Sequence, residues 1–274
     1  MKKSARLPGD GKFVLVTGAY GCMGRASVLS LRSLGYTVFA MDLTVGEPED
    51  GIIPVLADLT DEESIKRAYS AVSAACDSLY AIIHYAGIYM LDSLVEMPGE
   101  DFERIFRINL FGAFYVNRTF MPLLSRGSRI LITTSELAPL DPLPFTGIYA
   151  ISKAALDKYA YSLAMELRVL GIRVSVLRAG ATGTAMLGAS VDALDRFVSK
   201  TELYSVSAKR FRKVVDSVEA RQISPERVAA LASKIIAYRS PAFAYAINRN
   251  PLLLLLAALP QRMQLWVISK ILKD

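Results

Sequence analysis

The fold is decided by residues 13–24, Phe13-Val14-Leu15-Val16-Thr17-Gly18-Ala19-Tyr20-Gly21-Cys22-Met23-Gly24, where an apolar run leads into three glycines. The first five residues have the length and composition of a buried strand. An amphipathic segment follows the glycines as far as Leu34, and we predict a helix there. Glycines in this context let the backbone turn tightly and approach a pyrophosphate, whose charge the helix N-terminus would meet. The stretch therefore predicts a strand, a dinucleotide-binding loop and a helix.

Outward from this loop, strand-length apolar runs alternate with helix-length amphipathic segments to about residue 180. We predict strands at 13–17, 36–41, 52–57, 79–83, 129–133, 172–177 and 243–247, and later helices at 61–75, 101–124, 149–170 and 224–237. Runs that are apolar on both faces indicate a parallel sheet covered by helices on each side. The predicted fold class is α/β, a single Rossmann-type doubly wound parallel sheet in one domain over residues 1–274.

Two segments depart from this rhythm. Residues from about 180 to 222 are polar and rich in Gly, Ser and Thr, and we expect a substrate lid there. Residues 250–274 form an apolar tail, whose eight apolar residues between Pro251 and Pro260 are too few to cross a bilayer. The helix expected after Pro260 has an apolar face edged by cations, and we predict that it covers the substrate pocket or a subunit interface. Peripheral contact with a membrane surface is the alternative.

Composition narrows the class of protein. The chain has 274 residues, 53% of them hydrophobic and 21% charged, which suits one large globular domain. Its two cysteines and single histidine cannot assemble a metal site, so no metal is predicted. The basic N-terminus is followed by no apolar run of signal-peptide length, so we expect a cytoplasmic protein. The net charge is +6 without a nucleic-acid motif, so no nucleic-acid partner is predicted. The basic run at 209–213 is interpreted as a solvated helix face, and a lipid-facing or cofactor-phosphate role is the alternative.

Acidic residues after the second and third strands bear on the cofactor. Asp42 lies 18 residues beyond Gly24, where a carboxylate would accept hydrogen bonds from an adenosine ribose and repel a 2′-phosphate. NAD is therefore favoured over NADP, although Arg25 beside the loop is a cation that would suit NADP. Asp58 either contacts the adenine or caps the helix that starts near residue 60. Cys22 is interpreted as a small residue in a tight turn rather than as a low-pKa thiol.

Tyr149 and Lys153 lie four residues apart at the start of a predicted helix, so their side chains share one face. A free tyrosine titrates near pH ~10, and a fixed ammonium nearby would lower the pKa of the phenol. This pair would let a chain with one histidine perform general acid/base chemistry.

These motifs occur together in one known family. Residues 17–24, Asn109, Ser135, Tyr149 and Lys153 have the order and spacing of the short-chain dehydrogenase/reductase family, which the chain resembles from residue 12 to about residue 250. The resemblance implies that Tyr149 exchanges a proton with the substrate oxygen and that Ser135 hydrogen-bonds that oxygen. Lys153 would tune Tyr149 and hold the nicotinamide ribose. Asn109 would kink its helix and anchor a water molecule for proton relay.

The resemblance also implies a set of residues that contact the cofactor. They are Gly18, Tyr20, Gly21, Cys22, Met23, Gly24, Asp42, Asp58, Leu59, Ala86, Gly87, Tyr149, Lys153, Gly180, Thr182 and Thr184.

Three features depart from the usual family pattern. The glycine spacing is that of the family's longer branch of epimerases and dehydratases, although the chain is short for that branch. His84-Tyr85-Ala86-Gly87 stands where Asn-Asn-Ala-Gly is usual, and we interpret His84 as a packed structural residue. Ala179-Gly180 replaces the usual Pro-Gly after the sixth strand.

We therefore predict an NAD(P)-dependent oxidoreductase that interconverts a secondary alcohol and a ketone. The apolar tail is similar to that of family members acting on steroids, bile acids, retinoids and other lipophilic alcohols, which favours a bulky hydrophobic substrate and a role in lipid metabolism. The lid contributes apolar side chains that core packing also explains: Met186, Leu187, Phe197, Leu203 and Tyr204. The alternatives are a nucleotide-sugar epimerase or dehydratase and a non-catalytic dinucleotide sensor. The resemblance further implies a homodimer or homotetramer built on the helices at 101–124 and 149–170.

Overall fold

The computed structural model of the chain describes residues 7–183, 185–217 and 222–273. Its seven-stranded sheet contains β1 (Phe13–Thr17), β2 (Thr37–Asp42), β3 (Ile52–Leu56), β4 (Ala81–His84), β5 (Arg129–Ser135), β6 (Arg173–Ala179) and β7 (Ala244–Ile247). The strands pair in parallel in the order β3-β2-β1-β4-β5-β6-β7. Strands β2 and β3 are added on one side of β1, and β4 to β7 are added on the other side. This change in the direction of strand addition, between β1 and β4, opens a crevice at the carboxyl ends of these two strands. The predicted α/β class and doubly wound sheet are confirmed.

Helices cover both faces of the sheet. They are α1 (Cys22–Ser33), α2 (Glu62–Ala75), α3 (Gly99–Phe106), α4 (Gly112–Phe120), α5 (Gly147–Val169), α6 (Ala185–Lys200), α7 (Ser205–Ser217), α8 (Pro225–Ala237), α9 (Pro251–Ala257) and α10 (Gln261–Leu272). One core layer holds side chains from α2, α4 and α5 against the sheet, and the other holds side chains from α1 and α8. The central strands β1 and β4 are buried on both faces, which explains their apolar runs.

The prediction of one continuous helix at 101–124 is wrong, because the segment is interrupted by two turns of other helical types. Between α3 and α4 the backbone forms a π-helical turn at Arg107–Phe111, and a 3₁₀ turn follows at Met121–Leu123. Asn109 lies inside the π-helical turn, where its buried side chain bonds to the Ile88 backbone. A π turn carries one extra residue and changes the direction of side chains, which the periodicity of an apolar pattern does not reveal. The predicted kink at Asn109 therefore has a structural counterpart.

The predicted lid segment is more regular than its composition suggested. It forms α6 and α7, which pack through an aromatic cluster against the loop before α5. Phe145 lies at the centre of this cluster, with its ring centroid 4.5 Å from that of Phe197 and 5.3 Å from that of Phe211. We call these side chains, together with Leu91, Leu194 and Ala208, the lid cluster. Burial of the apolar residues thus turns a predominantly polar stretch into two amphipathic helices.

The tail forms two helices, α9 and α10, with a break at Ala258–Pro260. Proline at 260 cannot continue α9 because it lacks a backbone N–H and clashes with the preceding turn. Across the residues that the structure describes, none of the helices combines the length and the apolar character that crossing a bilayer requires.

Candidate active site

A cleft of about 360 Å³ lies at the carboxyl ends of β1, β2 and β4. Many residues predicted to contact the cofactor line it: Gly18, Gly21, Cys22, Met23, Gly24, Asp42, Asp58, Leu59, Ala86 and Gly87. Further lining residues were missed by the sequence analysis: Met41, Leu43, Ala57, Thr60, Tyr85, Ile88 and Ile108. Several of these residues are adjacent in sequence to predicted ones. Their positions just after the strands could therefore have identified them as cleft residues.

The glycine loop has the shape needed to hold a pyrophosphate. Gly18 has φ of 66°, and a Cβ there would lie 2.5 Å from the Ala86 nitrogen. A Cβ on Gly24 would lie 1.9 Å from the Gly18 carbonyl oxygen, so this close approach of helix and loop requires glycine. The first turn of α1 has neither a side-chain cap nor an acidic residue. The positive end of the helix dipole therefore points into the cleft, which fits the diphosphate of a dinucleotide.

The Asp42 carboxylate is held at one side of this cleft by two backbone N–H groups. Its oxygens accept hydrogen bonds from the backbone N–H groups of Tyr20 at 2.8 Å and Leu43 at 2.7 Å. Arg25, the cation that would suit a 2′-phosphate, instead pairs with Glu49 at 2.5 Å. Tyr20 does not line the cleft itself, but its ring lies beneath the Arg25 guanidinium, 5.9 Å away. The described cleft thus presents the Asp42 carboxylate, whereas the Arg25 guanidinium is held by Glu49.

Asp58 makes a local turn instead of capping a helix. Its Oδ1 accepts hydrogen bonds from the Thr60 backbone N–H at 2.8 Å and from the Thr60 hydroxyl at 2.7 Å. Helix α2 begins at Glu62 and is capped by Asp61, whose carboxylate accepts from the Glu63 N–H. The capping alternative for Asp58 is therefore wrong, and its place in the lining of the cleft leaves the adenine contact as a prediction. Cys22, the first residue of α1, is exposed to the cleft.

The four predicted catalytic residues converge beside this cleft. Ser135 ends β5, and its hydroxyl accepts the Leu137 N–H at 3.2 Å while also hydrogen-bonding Tyr149. The Lys153 ammonium donates to the Thr133 carbonyl at 3.3 Å and lies 5.9 Å from the centre of the Tyr149 ring. A Cβ on Gly87 would lie 3.1 Å from both Lys153 Nζ and Asn109 Oδ1. Gly87 therefore joins the dinucleotide cleft to the catalytic group, and a side chain there would be in tight contact with both Lys153 and Asn109.

The protonation of the pair differs from the sequence prediction. Burial raises the pKa of Tyr149 to about 12, and the hydrogen bond from Ser135 offsets this only in part. Burial also lowers the pKa of Lys153 to about 8. The predicted lowering of the phenol pKa by Lys153 is therefore wrong for this structure, because desolvation dominates and the ammonium points to the Thr133 carbonyl. Helical spacing predicted that the two residues share a face, but it could not predict how strongly that face is buried from solvent.

Asn109 links the loop after β4 to helix α5 through its side-chain hydrogen bonds. Its Oδ1 accepts the Ile88 N–H at 2.8 Å, and its Nδ2 donates to the Ile88 carbonyl at 3.0 Å and to the Ser152 hydroxyl at 3.0 Å. The Ser152 hydroxyl donates in turn to the Tyr149 carbonyl at 2.8 Å. Asn109 thus fixes the Gly87–Ile88 backbone against the helix that carries Tyr149 and Lys153. Its role in anchoring a water molecule stays a prediction.

His84 is a packed structural residue, as predicted. Its Nε2 lies 2.9 Å from Asn117 Oδ1, an acceptor only, so Nε2 carries the proton. Its Nδ1 then accepts from the Thr17 hydroxyl at 3.4 Å. Burial lowers the pKa of His84 to about 4, so the ring is neutral near neutral pH. Asn117 continues the chain of hydrogen bonds by donating to the Tyr159 hydroxyl at 3.1 Å.

The remaining predicted cofactor contacts lie after β6. Gly180 packs so closely against the Asn248 carbonyl that a Cβ would come within 1.9 Å of its oxygen. The buried Thr182 donates to the Gly180 carbonyl at 3.1 Å, which rigidifies this loop. Thr184 lies outside the described residues. Gly180 and Thr182 are not among the residues that line the dinucleotide cleft, so their contacts with a cofactor stay predictions.

Two residues beside Tyr149 were missed. The Tyr89 ring packs on the Tyr149 ring with centroids 4.9 Å apart, and Tyr89 also packs against the lid cluster. Glu136 follows Ser135 and is buried, and burial raises the pKa of its carboxyl group. Its Oε2 accepts the Asn250 N–H at 2.6 Å, which ties the tail to the end of β5. The sequence carried no signal for either role beyond proximity to motif residues.

Comparisons with known proteins agree with this geometry. A family model described as short chain dehydrogenase matches residues 12–195. Estradiol 17-beta-dehydrogenase 2 of Mus musculus is 31% identical over 194 residues, which cover 66% of this chain and 51% of that protein. The 17-beta-hydroxysteroid dehydrogenase type 2 of Homo sapiens is 29% identical over 263 residues, covering 86% of this chain and 68% of that protein. The match to the mouse relative thus spans about half of its length.

A solved structure shows the same fold. A short chain dehydrogenase from Burkholderia cenocepacia J2315 in complex with NADP has a TM-score of 0.72 and 21% identity, over 97% of this chain and 99% of that chain.

Proposed function

Because the chain belongs to the short-chain dehydrogenase family, we propose that it is an NAD(P)-dependent oxidoreductase that interconverts a secondary alcohol and a ketone on a bulky hydrophobic substrate. The observation that carries the proposal is the convergence of Ser135, Tyr149 and Lys153 beside the glycine-lined cleft. A dinucleotide-binding protein without catalysis would not need a phenol, a hydroxyl and an ammonium on one side of that cleft.

The residues divide the chemistry between them. The nicotinamide cofactor supplies or accepts the hydride when it is bound. Ser135 and Tyr149 place two hydroxyl groups where the substrate oxygen would lie, and both can donate to it as its charge develops. Tyr149 then gives its proton to the oxygen during reduction and takes it back during oxidation. Lys153 keeps a cation beside the phenol, and Asn109 holds the backbone at Gly87–Ile88 so that this geometry persists.

The proposed preferred cofactor is NAD. The Asp42 carboxylate would accept hydrogen bonds from the ribose hydroxyls and repel a 2′-phosphate. Arg25 is already neutralised by Glu49. Support for NAD therefore comes from one partly buried carboxylate that lines the cleft and from one paired guanidinium.

The surroundings of Tyr149 support a lipophilic substrate. Tyr89 covers the Tyr149 ring and leads into the aromatic lid cluster, so an apolar wall borders the reacting phenol. Two relatives whose names refer to 17-beta-hydroxysteroid or estradiol dehydrogenase activity are about 30% identical to the chain. A rigid polycyclic alcohol such as a steroid has an apolar surface that would pack against this wall.

The experiment is a substrate screen followed by one substitution. Steroid, bile-acid, retinoid and fatty-alcohol panels are incubated with the full chain and NAD or NADP, and reduced nicotinamide is followed by its absorbance. On the best substrate, Tyr149→Phe should lower kcat at least about a hundredfold while the Kd for NADH changes little, because general acid/base catalysis is lost but the cleft is intact.

Tyr161→Phe, on the exposed face of the same helix, is the matched control and should keep full activity. Turnover of the Tyr149→Phe variant within a few-fold of the parent would overturn the catalytic assignment. Turnover confined to small polar alcohols would overturn the substrate class.

A further inference from the structure

Helix α10 is fixed on the protein by one of its faces. Gln264 is buried, and its amide donates to Asp141 Oδ2 at 2.8 Å and to the Leu259 carbonyl at 2.9 Å. One and two turns further on, Ile268 is partly buried and Leu272 packs against the lid cluster. Helix α10 also contacts α7 of the lid. These contacts fix the orientation of α10. They also determine which of its residues face solvent.

The outward face combines large apolar side chains with cations. Leu265 is 73% exposed and Trp266 is 61% exposed. Arg262 and Lys270 lie one turn before and one turn after Trp266, and Lys273 follows Lys270. Leu252 and Leu255 of α9 are exposed as well. We call Arg262, Leu265, Trp266, Lys270 and Lys273 the tail face.

The charge on this part of the chain is mostly positive, and its one acidic side chain is the last residue, Asp274. From residue 250 to residue 273 the sequence contains no Asp or Glu, whereas the three cations of the tail face are exposed. Exposed apolar patches that are rimmed by polar residues mark interaction sites. The rim here has one sign of charge, which selects an anionic partner.

We propose that the tail face binds the surface of a lipid bilayer with anionic headgroups. A helix lying in that interface buries its apolar side chains at the acyl boundary, while its lysines and arginines extend to the headgroups. Tryptophan is favoured at the same depth because its ring is apolar and its N–H is polar. A second copy of the chain is the weaker occupant, because a two-fold contact would bring the cations of one tail face against those of the other.

The contact would lie beside the substrate site. Glu136, next to Ser135, accepts the N–H of Asn250, and Asn250 caps the start of α9. On its inner side, α9 contributes Leu253 and Leu256 to a cleft shared with Leu137, which follows Glu136. Exchange of a lipophilic substrate with the bilayer through this region rests on the proposed function. Binding to the bilayer does not.

The single tryptophan of the chain makes the proposal measurable, because Trp266 is the only source of indole fluorescence. The full chain is titrated with vesicles of phosphatidylcholine alone and with vesicles of equal parts phosphatidylcholine and phosphatidylserine. With phosphatidylserine we expect a blue shift of the emission and co-sedimentation, both weakened by high salt. The double variant Arg262→Glu/Lys270→Glu should lower the partition coefficient at least about tenfold, since each cation near an anionic surface contributes about a fivefold factor.

Matched variants test whether vesicle binding requires the residues of the tail face or only an exposed cation or leucine anywhere on the surface. Arg239→Glu and Leu29→Ser change exposed residues elsewhere and should bind like the parent, whereas Leu265→Ser should bind more weakly. The proposal is overturned if phosphatidylserine vesicles leave the emission unshifted, or if charge reversal leaves binding unchanged. A blue shift that grows with protein concentration in the absence of vesicles would show instead that a second copy covers the face. None of these measurements uses turnover, so their failure is distinct from failure of the proposed function.

Discussion

Asp42 is the residue on which the proposed preference for NAD depends. Its carboxylate is held toward the cleft by two backbone N–H groups, and the nearest candidate cation, Arg25, is paired with Glu49. Asp42→Ser removes the charge that repels a 2′-phosphate and keeps a hydroxyl for hydrogen bonding. The ratio of kcat/KM for NADP to that for NAD should rise at least about tenfold, as loss of a close like-charge contact predicts.

The control for this prediction is Asp50→Ser, which removes an exposed carboxylate from the neighbouring loop outside the cleft lining. Its cofactor ratio should match that of the parent. An unchanged ratio in the Asp42 variant would contradict the assignment of Asp42.

His84 makes the stability of the protein depend on pH. Burial lowers its pKa from 6.5 to about 4. As the pH falls below the unfolded value, the unfolded chain takes up a proton that the folded chain does not, so the free energy of unfolding decreases. The loss is complete below the folded pKa and amounts to about 3 kcal/mol, at 1.36 kcal/mol per unit of pKa.

Urea unfolding at several pH values between about 7 and 4 tests this prediction. The variant His84→Asn has no titrating ring, so the difference between the two proteins isolates the histidine from the carboxylates. Parallel pH dependences in the two proteins would contradict it. The same histidine can be followed by NMR, where it is the only imidazole in the chain.

At the scale of elements, the glycine loop and α1 form one unit whose spacing is set by contact distances. A Cβ on Gly24 would lie 1.9 Å from the Gly18 carbonyl oxygen, whereas a Cβ on Gly21 would lie 3.4 Å from the same oxygen. Gly24→Ala must therefore separate the helix from the loop and should weaken NADH binding at least about tenfold, since the helix N-terminus moves away from the diphosphate. Isothermal titration measures the change.

Gly21→Ala is the matched control for this prediction, because its Cβ would meet only an ordinary van der Waals contact. It should fold and should bind NADH more tightly than Gly24→Ala. Equal losses in both variants would show that the mutation of any loop glycine, and not this contact, causes the effect.

Elements were predictable where the signal is local. The alternation of strands and helices, and the glycine loop after β1, follow from periodicity and turn chemistry. The π-helical turn at Arg107–Phe111 does not, because it depends on the bonds between Asn109 and the distant Ile88 backbone. The raised pKa of Tyr149 was equally hidden, because it comes from burial by residues remote in sequence such as Tyr89. Spacing along one helix predicts which groups meet but not their solvation.

At the scale of the whole molecule, the described surface has a second apolar region far from the tail in sequence. It lies on α5 and the segment around α4, and its exposed side chains are Phe111, Phe114, Tyr161, Met165 and Val169. Between these helices runs a groove of about 340 Å³. The tail face carries cations only, whereas this region also contains Glu166 and Arg118, so two copies can meet there with opposite charges in contact.

We expect this region to form the subunit interface of a homodimer or homotetramer. The double variant Tyr161→Glu/Met165→Glu places two buried charges in that interface and should convert the protein to a monomer, because unpaired charges are costly to desolvate. Sedimentation velocity gives the mass directly, and circular dichroism checks that the fold is retained. Leu265→Ser, on the tail face, is the control and should leave the mass of the assembly unchanged.

If the double variant sediments like the parent, the two helices are not the interface. If Leu265→Ser alone dissociates the assembly, the copies meet through the tail, and the separation of a lipid-binding face from a subunit-binding face fails at the same time.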